Sequence, residues 1–278
     1  MLWLATTGAQ ALPLWEVEGT SNRMYLLGSI HFLRAQDYPL PTAITDALAD
    51  VDVVVMELDL SAVDPLEMQV TMLSLASDPQ GRTLETLLGA RTYRKARELA
   101  AEIDIDLTIM QPFEPWYATL QITQLRLMQL GFDGSYGVET QLFLQATQLG
   151  KKIEGLETLE AQLAMMDSLP LKTQKRFLIM TLEQIAVLDG KMDGIVNAWR
   201  SGDTHALQRD LMDEFRLEPK LYEQMIVQRN ANWVESILDM IDDRQNYLIV
   251  VGALHLVGDD SIQRMLADKG YSTRQIKE

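Results

Sequence analysis

The 278 residues contain only three histidines, and two of them share one setting. His31 closes the run Met24-Tyr-Leu-Leu-Gly28-Ser-Ile-His31, and His255 closes Leu248-Ile-Val-Val-Gly252-Ala-Leu-His255. In each, an apolar strand meets a glycine, two residues pass, and a histidine follows. Glycine after a strand permits a tight or left-handed turn and the close approach of another group. The imidazole then projects from the strand's end, where a pocket forms, and neutral imidazole is the commonest protein metal ligand. Either histidine alone reads as a strand cap bonded to a carbonyl. The matched pair reads as one shared site. His205, after Gly202-Asp203-Thr204, reads as solvated surface.

Most of the 40 Asp and Glu residues are solubilising charge. Glu57 stands apart because it ends the apolar run Val53-Val54-Val55-Met56. A carboxylate beside a buried strand needs a partner, and a metal, an arginine or a polarised water would serve. Glu139 sits in Tyr136-Gly137-Val138-Glu139 at a helix start, where it serves either a metal or the helix dipole. Glu157, in Gly155-Leu156-Glu157-Thr158, belongs either to the site or to the next helix. Arg229-Asn230 lies within a helix. This arginine reads either as surface charge or as a partner of Glu57 that stabilises an oxyanion. Trp116, Trp199 and Trp233 read as core aromatics. No Walker loop, Gly-x-Ser-x-Gly elbow or His-Glu-x-x-His competes with this set.

Composition narrows the chemistry. There is no cysteine, so disulfides, thiolate metal sites and a cysteine nucleophile are excluded. Any divalent metal rests on His, Asp, Glu, backbone oxygen or water. A net charge of −16 argues against nucleic acid and anionic membrane surfaces, and suits cations. No apolar run reaches the roughly 18 residues of a membrane helix. Met1 to Ala11 resembles the tail of a secretory signal, ending in Ala9-Gln10-Ala11, though without a basic start. Two readings stay open there. A signal remnant implies a periplasmic or secreted protein, and a frayed terminus leaves the cytoplasm open.

The elements that must position these residues follow from periodicity. Leu14–Glu18 and Met24–Leu27 flank turn residues and predict a β-hairpin. Val51–Met56, Lys152–Glu157 and Tyr247–Val251 predict further strands, and all-apolar strands imply burial on both sheet faces. Apolar residues at three- and four-residue steps predict helices over Pro41–Leu48, Pro65–Leu75, Leu84–Leu88, Thr92–Ala101, Glu114–Leu130 and Glu139–Leu149. Others are predicted over Leu159–Met166, Leu171–Leu188, Gly190–Arg200, Thr204–Phe215, Pro219–Met240 and Ser261–Lys269. The expected fold is α/β: a central mixed sheet flanked by helices, with a large helical insert over about 64–240. Residues 12–278 form a single domain. The two His-bearing strands lie at opposite ends of the chain, and ligands gather at the carboxyl ends of sheet strands.

These marks together resemble the TraB/PrgY/GumN family, whose animal relatives are the Tiki proteases. They are Leu14-Trp15-Glu16-Val17, Gly28-Ser29-Ile30-His31, Val55-Met56-Glu57-Leu58, and Gly150 to Thr158 with Gln162. The others are Arg229-Asn230 with Trp233, and Val251 to Leu256 with Gly258. The similarity runs from Trp15 to about Tyr271. Where relatives often carry Asp after Tyr-Gly-Val, this chain has Glu139. The resemblance implies the fold group shared with erythromycin-esterase-like (EreA-like) and haem-binding ChaN-like proteins. It implies metal-dependent proteolysis, with manganese or cobalt favoured in the Tiki branch and zinc a further candidate. The esterase-like relatives use His, Glu, Arg and His in that chain order, and His31, Glu57, Arg229 and His255 repeat it.

The expectation is a metal-dependent hydrolase, a Tiki-like peptidase acting on a peptide or small molecule. His31, His255, Glu57 and Glu139 are the candidate metal ligands. Glu57 is the general base if it is not a ligand. Arg229 stabilises developing charge, and Asn230 orients it. Two alternatives stand beside this: a metal-independent esterase-like hydrolase using a His/Glu pair, and a non-catalytic peptide- or haem-binding protein.

Overall fold

A computed structural model describes residues 11–62, 64–185, 188–212, 216 and 218–277. The signal-like run over residues 1–10 lies outside them, as do 186–187 and 213–215 within two predicted helices. Six strands form one mixed sheet: β1 (Ala11–Glu18), β2 (Met24–Ser29), β3 (Val53–Leu58), β4 (Lys152–Glu157), β5 (Tyr247–Gly252) and β6 (Ser272–Lys277). Their order is β4-β3-β5-β2-β1-β6. β4, β3, β5 and β2 run parallel, while β1 pairs antiparallel with β2 and β6. The two strands that lead to the histidines, β2 and β5, are therefore side by side in space, with Gly28 opposite Val251 and Ser29 opposite Gly252. Both Gly-x-x-His turns leave the sheet at one end.

The strand composition has the cause that the sequence implies. Along β3, Val54 and Met56 face one core with Leu27, Leu248 and Val250. Val53 and Val55 face another with Leu26, Ile249 and Trp233. With both faces covered, period-two alternation disappears and every position stays apolar.

Helices α1 (Thr42–Asp50), α2 (Pro65–Ala76), α3 (Leu84–Leu88), α4 (Ala90–Ala101), α5 (Pro115–Gln129) and α6 (Val138–Gln148) precede β4. After it come α7 (Leu159–Asp167), α8 (Leu171–Ile185), α9 (Leu188–Arg200), α10 (Thr204–Leu207), α11 (Pro219–Tyr222) and α12 (Gln228–Ile241). α13 (Ile262–Asp268) joins β5 to β6. The helical insert thus returns once to the sheet, at β4. Its inner helices α3, α4, α5 and α8 bury a core of their own around Tyr93, Ile122, Leu178 and Leu182.

Four segments differ from expectation. β3 runs through Leu58, two residues past Met56, because its end pairs with Glu157 of β4, so Glu57 lies within the strand. Neither Thr204–Phe215 nor Pro219–Met240 is one regular helix. Each contains a π-helical turn, Gln208–Met212 and Glu223–Val227, and wider i→i+5 hydrogen bonding leaves no apolar period of its own. β6 was unforeseen: Ser272–Lys277 is a polar edge strand with only a weak apolar signal.

Two contacts fix the sheet end that carries His31. Trp199 of α9, fully buried, donates its indole N–H to the Gly28 carbonyl at 2.6 Å. The α6 N-terminus packs against the His31 turn, with Val138 N–H donating to Ile30 O at 3.0 Å. Gly137 makes this approach feasible: a Cβ there would lie 2.3 Å from the His31 carbonyl oxygen. Gly137→Ala is therefore expected to push α6 off the turn and cost about 1–3 kcal/mol, the usual scale of overpacking. Urea unfolding of the variant against the parent checks this, and an unchanged midpoint would contradict the docking.

Candidate active site

The crevice at the carboxyl ends of four parallel strands receives one functional group from each. β2 leads to His31, β3 carries Glu57, β4 ends on Glu157, and β5 ends on Gly252 just before His255. α6 brings Glu139, α7 brings Gln162, and α12 brings Arg229 and Asn230. The structure gathers all six residues singled out as ligands or catalytic groups: His31, Glu57, Glu139, Arg229, Asn230 and His255. It adds Glu157, which the sequence left undecided. His205 is exposed and apart from this set, as read.

The glycines before the histidines act by being small. Neither Gly28 nor Gly252 has a positive φ. A Cβ on Gly252 would sit 3.3 Å from Glu57 Oε1, 3.7 Å from His255 Cδ2 and 3.8 Å from His31 Nε2. The bare backbone leaves the floor of the crevice open to all three side chains.

Arg229 is the centre of the polar network. Its Nη2 donates to Glu57 Oε2 at 2.6 Å and to Glu157 Oε1 at 2.7 Å. Its Nε donates to Glu157 Oε2 at 3.3 Å, and its Nη1 to Met225 O at 3.3 Å. Gln162 spans the same two carboxylates, at 3.3 Å from Glu57 and 3.0 Å from Glu157. The guanidinium lies 4.4 Å over the Trp233 ring, and that ring packs against His255 with centroids 4.5 Å apart. Trp233 is buried as expected, but it is the base on which Arg229 and His255 rest.

The tautomer of His255 follows from its neighbours. Asn230 donates through Nδ2 to Asp260 O at 2.7 Å and His255 O at 3.4 Å. Its Oδ1 therefore accepts from His255 Nδ1, 2.6 Å away. Nε2 is left with a lone pair and accepts from Arg229 Nη1 at 3.2 Å. Burial pushes the His255 imidazole down to about 3, so the ring is neutral.

His31 is held differently. Its Nδ1 meets Glu139 Oε1 at 2.7 Å, and Ser29 donates its hydroxyl to the same oxygen. The Glu139 carboxylate raises the imidazole to about 9, while the side chain stays open to the crevice. Glu139, offered by the sequence as a metal ligand, is placed instead behind the ring. Its other oxygen, Oε2, is buried with no partner among the described residues. Glu57 is buried, which works against ionisation. Arg229, the His31 imidazolium and the Gly252 N–H at 2.8 Å outweigh burial and hold its carboxyl at about 2. A carboxylate so stabilised is a poor proton acceptor.

This donor set faces one space. His31 Nε2 and Glu57 Oε1 both face the space above Gly252, and His255 Nε2 lies 3.9 Å from that Glu57 oxygen. Each imidazole has its Nδ1 held by a second group, the arrangement that directs Nε2 toward a metal. The donor types fit a divalent cation. Among the described residues, no three His, Cys, Asp or Glu side chains are already gathered to hold one, because Arg229 occupies His255 Nε2.

Above the polar floor stands a cavity of about 430 Å³. Its walls come from the helical insert: Met165 and Met166 of α7, Met192 of α9, and Leu211, Met225 and Ile226 of the two π-helical turns. Sequence reasoning missed the walls and the Ser29 hydroxyl. Gln162 appeared in the sequence only as a mark of resemblance, with no role attached. The sole sequence signal for the walls was methionine abundance, 15 in the chain, since apolar helix faces all read as core. Among the described residues, no helix is long and apolar enough to cross a membrane.

Comparison with known proteins gives a consistent result. The family model of the TraB/PrgY/gumN family matches residues 13–275. The chain is 27% identical over 267 residues to the uncharacterised protein YbaP of Escherichia coli (strain K12), covering 95% of this chain and 96% of that one. The YbaP protein of Shigella flexneri matches equally. The metalloprotease TIKI2 of Danio rerio is 23% identical over 303 residues, covering 89% of this chain and 57% of that protein. No solved structure matches. With the family model covering nearly its whole length, this chain belongs to the TraB/PrgY/gumN family.

Proposed function

We propose that this protein is a hydrolase of peptide-type bonds that works with a divalent metal ion, in the periplasm or outside the cell. One observation carries the reading: His31 Nε2 and Glu57 Oε1 converge above the bare Gly252 backbone, with His255 Nε2 3.9 Å from the same carboxylate oxygen. The metalloprotease name of the TIKI2 relative supports the reaction class.

A divalent ion held by His31, Glu57 and His255 would supply a water of lowered pKa and polarise the scissile carbonyl. The chain's own groups prepare that site. Glu139 and Ser29 orient His31 so that Nε2 faces the floor. Asn230 fixes the His255 tautomer that leaves Nε2 unprotonated. Glu57, held ionised, acts as charge and ligand; the low value of its carboxyl disfavours it as the general base. Arg229 keeps Glu57 and Glu157 together and brings a positive charge to the place where an oxyanion develops. His255 becomes a donor when Arg229 releases it.

A second reading rests on one specific contact. Arg229 already satisfies both His255 Nε2 and Glu57 Oε2, which leaves the Glu139–His31 dyad with one open basic atom. In that case His31 Nε2 takes the proton from water directly, without a metal. Purified full-length chain, assayed on a quenched-fluorescent peptide mixture before and after chelation, separates the two. Loss on chelation and recovery with manganese or cobalt is expected. Full activity in metal-free protein would overturn the metal reading and leave the dyad.

The pH profile gives a further check. The His31 imidazole titrates near 9, above its ordinary value, and must lose its proton before Nε2 can bind a metal or accept a proton. Activity is expected to rise with pH toward that value. Metal and proton compete for Nε2, so added metal should move the limb to lower pH. Glu139→Gln removes the charge that raises the imidazole. It should bring the limb toward pH 6.5 and lower the maximal rate. A profile that Glu139→Gln leaves in place would show that His31 does not govern it.

A further inference from the structure

The cavity over the polar floor has no part in the chemistry described so far, and its composition is unusual for a helical core. Four methionines, Met165, Met166, Met192 and Met225, line one space with Leu211 and Ile226. The opposite side is polar: Ser29, His31, Glu57, Gln162, Arg229 and His255. At about 430 Å³ the space falls within the range of small-ligand pockets and exceeds what one small side chain fills.

We propose that this cavity selects a peptide segment by a bulky apolar side chain, which enters the methionine-lined space while the peptide backbone lies along the polar floor. The proposal rests on the hydrolase reading for its purpose, though not for its test. The division into one polar and one apolar side matches a chain whose backbone repeats polar groups and whose side chains do not. Methionine is unbranched and polarisable, so it moulds to leucine, methionine or phenylalanine with little preference among them. The wall side chains are methionine, leucine and isoleucine, so a charged side chain entering among them loses water and gains no partner there.

Two of the walls are suited to substitution. Met165 and Leu211 are only partly buried, so a lysine at either can reach solvent without opening a core. The test measures binding, by fluorescence anisotropy of the full-length chain with two labelled hexapeptides that differ only in a central leucine or glutamine. The leucine peptide is expected to bind at least about tenfold tighter, the scale on which apolar pockets discriminate. Met165→Lys and Leu211→Lys should each remove about tenfold of that, with Leu211→Met close to the parent. Unchanged thermal melting would confirm that the lysine variants stay folded. If both lysine variants unfold, Met165→Gln and Leu211→Gln take their place with the same expectation. Equal affinity for the two peptides would overturn the proposal. So would a preference that no wall variant alters, or tighter binding of labelled decanoate than of the leucine peptide. Binding with the expected preference but no cleavage under any metal would sink the hydrolase reading and leave the pocket assignment standing.

Discussion

The crevice exists because one guanidinium holds two carboxylates together. Glu57 and Glu157 sit on neighbouring parallel strands whose ends lie in register, and both are nearly buried. Two carboxylates so close, with little water between them, repel. Arg229 Nη2 lies between them and donates to both. The same group donates to His255 and rests on Trp233, which in turn packs under the His255 ring. The ends of β3, β4 and β5 are thereby tied to one helix, α12, through a single side chain. The π-helical turn Glu223–Val227 runs directly into that helix. Its Met225 supplies a carbonyl to Arg229 and a side chain to the cavity wall, so the irregular backbone joins the network to the pocket.

How much of this was legible depends on whether a physical demand leaves a mark in one dimension. The Gly-x-x-His pair did, because an apolar strand, a residue without a side chain and an imidazole are all unusual in that order. The reason for the glycines was only half legible. Space for Glu57 and His31 above Gly252 demands it, and no left-handed turn is made. The register is also one residue off the sequence echo: Gly252 faces Ser29, not Gly28. Glu57 was legible as an acid in an otherwise apolar strand. Glu157 was not, since in a chain with 40 acids its partner 72 residues away leaves no local trace. Glu139 was legible as a candidate, but only the packing of α6 against the His31 turn tells that it stands behind the ring.

The fold was legible where burial sets the pattern. β3 and β5 are covered on both faces and read as unbroken apolar runs. β6 lies at the sheet edge with exposed and half-buried residues alternating, and so resembled a loop. The helical insert was legible as helices, but its inner faces were ambiguous. An apolar stripe looks the same whether it meets another helix or lines a cavity, and only assembly shows that α7, α9 and the two π-helical turns stop short of one another over the site.

The charge balance of the site bears on the proposed divalent ion. Three carboxylates, Glu57, Glu139 and Glu157, meet one guanidinium and the His31 imidazolium, while His255 stays neutral. The set carries one net negative charge, and one buried Glu139 oxygen has no partner among the described residues. When His31 releases its proton, the deficit becomes two charges in a place with little water to screen them. A site in that state favours whatever restores two positive charges at His31 Nε2 and Glu57 Oε1. A returning proton restores one of them and closes Nε2. A divalent cation restores both, and the two atoms that already face the open floor are the ones it would use.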